Sequence, residues 1–180
     1  EATVMLPLAM RGILHPHVPL LPEDMAQTLR AAPPPRRLVV TPIHVRAWLQ
    51  SAVPVPSVDG VLCATAPLDP GDAAQFEAAS DATLTEIYGS TETGGIATRR
   101  TSRERSFRLL GALAAQTAAT SITFAGGHLD APVRVNDRGE LDGDGRLALI
   151  GRDEDIVKIG GKRASVAHLA HLLGRVPGVL

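Results

Sequence analysis

Between Arg37 and Tyr88 the hydrophobic pattern switches repeatedly from strand-like to helical, and this alternation restricts the architecture more than any other feature. Arg37-Leu38-Val39-Val40-Thr41-Pro42 is a short β-branched run. It gives way to apolar residues at helical spacing, Val45, Trp48, Leu49 and Val53. Val58 to Ala64 reads as a second strand, Asp69-Pro70-Gly71-Asp72 as a turn, and Ala73 to Ala79 as a helix leading to a third strand, Leu84 to Tyr88. Strands alternating with helices predict an α/β fold, a parallel sheet with helices packed on its faces.

The flanks read differently. Val4, Met5, Leu8, Ile13 and Leu14 are spaced as in a buried helix despite Pro7, and Glu23 to Ala31 reads as a short helix bracketed by prolines, with Glu23 and Asp24 in its first turn. After Gly95 come short apolar runs separated by Gly, Asp and Asn: Phe107 to Leu110, Ser121 to Phe124, Val133 to Val135 and Leu147 to Ile150. They predict a small all-β element. Asp155 to Ser165 has the form of a hairpin turning at Gly160-Gly161. Ser165 then caps a helix with an apolar face of Val166, Leu169, Leu172, Leu173 and Val176, stopped by Pro177-Gly178.

With 180 residues, 44% of them hydrophobic, the chain can bury one sizeable core or two smaller ones. A net charge of -1 with interspersed signs argues against capture by nucleic acid or an anionic membrane. The single cysteine, Cys63, lies in an apolar run and cannot form an intrachain disulfide, which predicts a reducing, cytoplasmic setting. The apolar start, Ala2 to Met10, is interrupted by Pro7 and too short for a membrane span. Metal readings fail locally. A calcium loop with Gly145 in sixth place would need glutamate where Gly151 stands. His15/His17 and His168/His171 lack neighbours to complete a ligand set.

Chemistry concentrates in Glu86-Ile87-Tyr88-Gly89-Ser90-Thr91-Glu92-Thr93-Gly94-Gly95, at the end of the third predicted strand, where ligands bind in α/β sheets. A ring can stack on a base and glycine lets the backbone approach a ligand. Hydroxyls can donate to phosphate, and a carboxylate can hold Mg²⁺. The set suits a nucleotide; the bland alternative is a polar turn beside a half-buried tyrosine.

The string Tyr88-Gly89-Ser90-Thr91-Glu92 resembles the signature of the adenylate-forming superfamily of acyl-CoA synthetases and aryl acid ligases. Ala64-Thr65-Ala66-Pro67-Leu68 is similar to that family's adenine-contacting loop. Asp137-Arg138-Gly139-Glu140-Leu141-Asp142-Gly143-Asp144-Gly145-Arg146, followed by a strand and Gly151-Arg152, is similar to its ribose-binding stretch. The resemblance implies that Tyr88 stacks on adenine, bordered by Thr65, Ala66 and Pro67, with Glu86, Gly89 and Ser90 completing the nucleotide-binding set. It implies that Thr91 contacts the α-phosphate, Glu92 ligates Mg²⁺, Asp137 accepts the ribose hydroxyls and Arg152 pairs with ribose or phosphate. It puts a hinge at Glu154, and it brings Arg163, in Lys158-Ile159-Gly160-Gly161-Lys162-Arg163, to phosphate or thiol substrate.

The family's phosphate-gripping loop and its late lysine have no counterpart in this sequence. The resemblance therefore implies a fragment. Residues 1–151 correspond to the C-terminal half of the large domain, 152–155 to the hinge and 156–180 to the first hairpin and helix of the small α+β domain. A closer resemblance, in Thr65 to Leu68, Glu86 to Gly94 and Asp155 to Ser165, is to the ligases of aryl polyene and xanthomonadin-type pigment clusters. The implied activity joins a small carboxylic acid, aromatic or acyl, to AMP with ATP and Mg²⁺, then transfers it to CoA or to the phosphopantetheine of an acyl carrier protein. The isolated chain is expected to be inactive. A rival reading is a nucleotide-binding or carrier-docking module without catalysis.

Overall fold

The computed structural model describes residues 7, 11–16, 18–152, 156–159, 162–165 and 173. The chain divides into two compact units, residues 1–110 and 111–180.

The first unit runs α1 (Pro22–Ala31), β1 (Arg37–Val40), α2 (Pro42–Gln50), β2 (Gly60–Cys63), α3 (Pro70–Ser80), β3 (Leu84–Ser90), β4 (Gly94–Arg99) and β5 (Arg108–Leu109). Its sheet has the order β1-β2-β3-β4-β5. The first three strands are parallel, and β4 and β5 continue the sheet antiparallel. The α/β prediction holds, but the third strand does not end the sheet at Tyr88. It runs on to Ser90 and turns back.

Each of these three helices has a recognisable chemical start. Proline stands in the first turn of all three, where no N–H donor is needed. Asp69 caps α3 by accepting from the Gly71 and Asp72 amides at 2.7 and 3.1 Å. Asp-Pro-Gly-Asp, expected as a turn, is therefore the start of the helix. Thr41 and the His44 ring form a reciprocal cap on α2.

The core gathers Met25, Ala26 and Leu29 of α1, Val45 and Trp48 of α2 and Phe76 of α3 against Val40, Val61, Cys63 and Leu84 of the strands. Trp48 and Phe76 meet edge-to-face with centroids 5.8 Å apart, and the indole N–H donates to the Val53 carbonyl at 3.1 Å. Of the buried helix expected over residues 4–14, the described Pro7 is helical, but the pattern does not carry through to its end. Residues 12–14 are irregular, and Ile13 is 94% exposed.

The regular structure described in the second unit up to Ser165 is all β, as expected. Strands β6 (Leu113–Thr117), β7 (Ile122–Gly126) and β8 (Val133–Val135) form one antiparallel sheet. Strands β9 (Asp137–Leu141) and β10 (Leu147–Arg152) form a second, and β11 (Ile156–Ile159) and β12 (Lys162–Ser165) pair as the predicted hairpin. Leu113, Ile122, Phe124 and Leu147 are its buried apolar residues. Glu154, expected as the hinge, lies outside the described residues. So does the helix expected after Ser165, except Leu173, which is helical and exposed. No helix among the described residues is long and apolar enough to cross a membrane.

Candidate nucleotide site

Two neighbouring features emerge at the C-terminal ends of β2 and β3. Cys63, the last residue of β2, lies opposite Glu86 in the parallel ladder, so the chain leaving β2 starts beside the last part of β3. That chain is Ala64 to Leu68, with Thr65, Ala66 and Pro67 exposed and Leu68 buried. Thr65 has φ +89°, a backbone state rare for a β-branched residue and found most often where function requires it. The loop is tied down by the Leu68 N–H, which donates to Glu86 Oε1 at 3.2 Å.

The second feature is the hairpin between β3 and β4, whose tip is Thr91-Glu92-Thr93. Ser90 pairs with Gly94, Gly89 with Gly95 and Tyr88 with Ala97, so Ile96 is an extra residue on β4, a bulge. A Cβ on Gly89 would collide with the Gly94 carbonyl oxygen, and Gly94 itself has φ +63°, so both positions require glycine. Thr93 is buried and pins the tip. Its hydroxyl accepts the Ser90 N–H at 2.9 Å, lies 3.1 Å from the Ser90 hydroxyl and donates to the Gly94 carbonyl at 3.0 Å. Thr91 and Glu92 are left exposed at the turn.

Beneath the hairpin, Glu86 is 4% exposed and both its carboxylate oxygens are engaged by the protein. Arg99 Nε donates to Oε2 at 2.7 Å, and the Thr101 hydroxyl donates to the same oxygen. The Arg99 guanidinium lies 4.2 Å from the centroid of the Phe107 ring, whose other neighbour is Tyr88, 5.7 Å away and tilted by 51°. The Cys63 thiol is pushed up to about 12 by burial and, secondarily, by the Glu86 carboxylate. It is not a nucleophile at neutral pH.

Thr65, Ala66, Pro67, Glu86, Tyr88, Gly89, Ser90, Thr91 and Glu92 therefore belong to one unit and one end of its sheet. Asp137 and Arg152 belong to the other unit, where they face each other across the β9–β10 ladder, beyond a bulge at Ile150. Arg163 is opposite Lys158 in the β11–β12 hairpin. Sequence reasoning missed Arg99, Thr101 and Phe107, whose roles depend on the β3–β4 register, and it gave Thr93 no role. Among the described residues no three His, Cys, Asp or Glu side chains cluster to hold a metal ion. An exposed Glu92 suits Mg²⁺, which takes one or two carboxylates with phosphate oxygens and water.

No family model matches the chain. It is 32% identical over 154 residues to the 4-coumarate--CoA ligase of Rhodobacter capsulatus, spanning 86% of this chain and 38% of that protein. The enzyme of the same name from Cereibacter sphaeroides is 36% identical over 98 residues, 54% of this chain and 22% of the relative. Among solved structures, ATP-bound MatB from Rhodopseudomonas palustris matches with a TM-score of 0.74 at 19% identity, over 97% of this chain and 42% of MatB. The chain thus spans less than half the length of each. Its fold is that of the large domain of adenylate-forming ligases. The two sequence relatives, both named as CoA ligases, agree with that fold.

Proposed function

We propose that this chain supplies the adenine- and magnesium-facing side of the nucleotide site in an AMP-forming acid–thiol ligase. The observation that carries the reading is the juxtaposition of the Thr65–Leu68 loop with the Tyr88–Glu92 hairpin at the ends of adjacent parallel strands. The Tyr88 ring stacks on adenine, Thr65, Ala66 and Pro67 border it, and Gly89 and Ser90 bring the backbone close. The Thr91 hydroxyl contacts the α-phosphate. Glu92 holds Mg²⁺, which offsets phosphate charge when bound. The resemblance assigns in addition the ribose hydroxyls to Asp137, phosphate to Arg152, the hinge to Glu154 and the thiol substrate to Arg163.

The reaction joins a carboxylate oxygen of the acid to the α-phosphorus of ATP as pyrophosphate leaves. A thiol sulfur then attacks the acyl carbon and AMP departs. Two relatives named for 4-coumarate and CoA support an aromatic acid and a CoA-type thiol. The resemblance to pigment-cluster ligases points the same way, with carrier-bound pantetheine as the alternative thiol.

The test has two arms. Calorimetric titration of the 180-residue chain with AMP should show binding that Tyr88→Ala weakens by about tenfold, the lower part of what base–aromatic stacking contributes. In the full gene product, acid-dependent pyrophosphate release should drop sharply in Glu92→Ala and Asp137→Ala, and CoA and a pantetheinylated carrier are compared as acceptors. Activity undiminished in both variants would falsify the site assignment.

A further inference from the structure

We propose that Glu86, Arg99 and Phe107 form a buried positioning relay that holds the two walls of this nucleotide slot in register, the proposal resting on the reading above. One wall is the loop after β2, the other the ring of Tyr88. They are joined through contacts that touch no ligand. The Leu68 N–H donates to Glu86 Oε1, Arg99 donates to Glu86 Oε2, the guanidinium lies on Phe107, and Phe107 backs Tyr88.

The geometry gives each member one task. Glu86 and Tyr88 are two residues apart on β3 and share a face of the sheet, so the group that anchors the loop and the ring that faces the base lie on the same side. Glu86 is directly opposite Arg99 in the antiparallel ladder, and its two oxygens serve different clients, the loop on Oε1 and the β4 side on Oε2. A carboxylate with both oxygens engaged by protein donors is a positioning residue rather than a contact for adenine. Arg99 is fixed from a third direction, since its Nη1 donates to the Arg105 carbonyl at 2.7 Å. Its guanidinium is thereby held over the Phe107 ring, and a lysine ammonium lacks the several fixed donors that hold it there. Phe107 is 2% exposed and has no polar atom, so its contribution to the slot is the surface it offers the Tyr88 ring.

Tyr88 is the single tyrosine of the sequence and Trp48 the single tryptophan, which gives the relay its own spectroscopic probe. The 180-residue chain is labelled with 3-fluorotyrosine, and Arg99→Lys, Phe107→Leu and Glu86→Gln are compared with wild type. The fluorescence of Trp48, buried against Phe76, verifies folding. In the nucleotide-free chain each variant is expected to move or broaden the fluorine resonance beyond its wild-type linewidth. Adenosine and AMP should both weaken, by the same factor of about tenfold, because the walls and not the phosphate contacts are disturbed. Should Arg99→Lys fail to fold, Phe107→Leu, which keeps an apolar group in place, carries the test. An unmoved resonance in the folded variants overturns the relay, as does a loss confined to AMP with adenosine binding intact. Absence of AMP binding in the wild type would instead sink the nucleotide reading, while the fluorine shifts still judge the relay.

Discussion

Replacing Thr65 with glycine is expected to stabilise the chain, even though Thr65 lies in the loop proposed to border adenine. At φ +89° its Cβ crowds the backbone, a conformation that costs an L-residue roughly 1–2 kcal/mol. Glycine removes the clash but loses about 0.5–1 kcal/mol more than alanine through chain entropy. Thr65→Ala is the proper reference, because alanine keeps the Cβ and so keeps the strain, while the exposed threonine side chain offers little burial to lose. Taken at the middle of each range, the difference makes Thr65→Gly about 0.75 kcal/mol more stable than Thr65→Ala. For an m-value of about 2 kcal/mol/M this raises the urea midpoint by about 0.4 M, read from the fluorescence of Trp48 in the same unit. The loosened loop should at the same time bind AMP less tightly than in Thr65→Ala. A midpoint for Thr65→Gly equal to or below that of Thr65→Ala would refute the strain argument.

Three further outcomes are expected. The Cys63 thiol, pushed up to about 12 by burial and the Glu86 carboxylate, should resist thiol reagents at pH 8 in the native chain and react at once in denaturant; rapid native labelling would contradict its burial. Burial alone would raise the Glu77 carboxyl, but hydrogen bonds from Arg100, Ser102 and the Leu84 N–H outweigh it and leave it below its ordinary value of 4.5. Its contribution is therefore complete above pH 4.5 and lost as pH falls below it, so Glu77→Gln should show a shallower loss of stability in acid than wild type, measured by urea titration at several pH values. Gly89→Ala drives a Cβ into the Gly94 carbonyl and should cost roughly 1–3 kcal/mol as the β3–β4 pairing gives way, with AMP binding falling alongside.

The strand-and-helix order was legible because the period change at Arg37 to Tyr88 is a local signal that the packed structure reinforces. Trp48 and Phe76, at helical positions, meet in the core that the pattern predicts. Boundaries were less legible where one residue type serves two purposes. Pro70 after Asp69 reads as a turn, yet the same pair makes a helix start once the Asp69 carboxylate accepts the next amides. The antiparallel β4 was not legible, because Gly94-Gly95-Ile96-Ala97-Thr98-Arg99 lacks the alternating pattern and its pairing is shifted by a bulge at Ile96. For the same reason Arg99 gave no sign of being Glu86's partner. Thirteen residues separate them, and the contact exists only in that register.

The string from Glu86 to Gly94 is better understood as a hairpin than as a strand end, and that difference explains its composition. β3 is the strand at which the sheet changes from parallel to antiparallel. A parallel neighbour must be reached by a crossover, which leaves the loop after β2 at the C-terminal end of the sheet. An antiparallel neighbour can be reached by a tight turn, which holds the tip of the β3–β4 hairpin at that same end. Only a strand with one neighbour of each kind sets a crossover loop beside a hairpin tip with nothing between them. Within the string each residue then answers one requirement of that arrangement. Glu86 fastens the crossover loop, Tyr88 supplies the ring, and Gly89 and Gly94 permit the close return of the backbone. Thr93 is turned inward to fix the tip, while its neighbours Thr91 and Glu92 stand exposed at the turn.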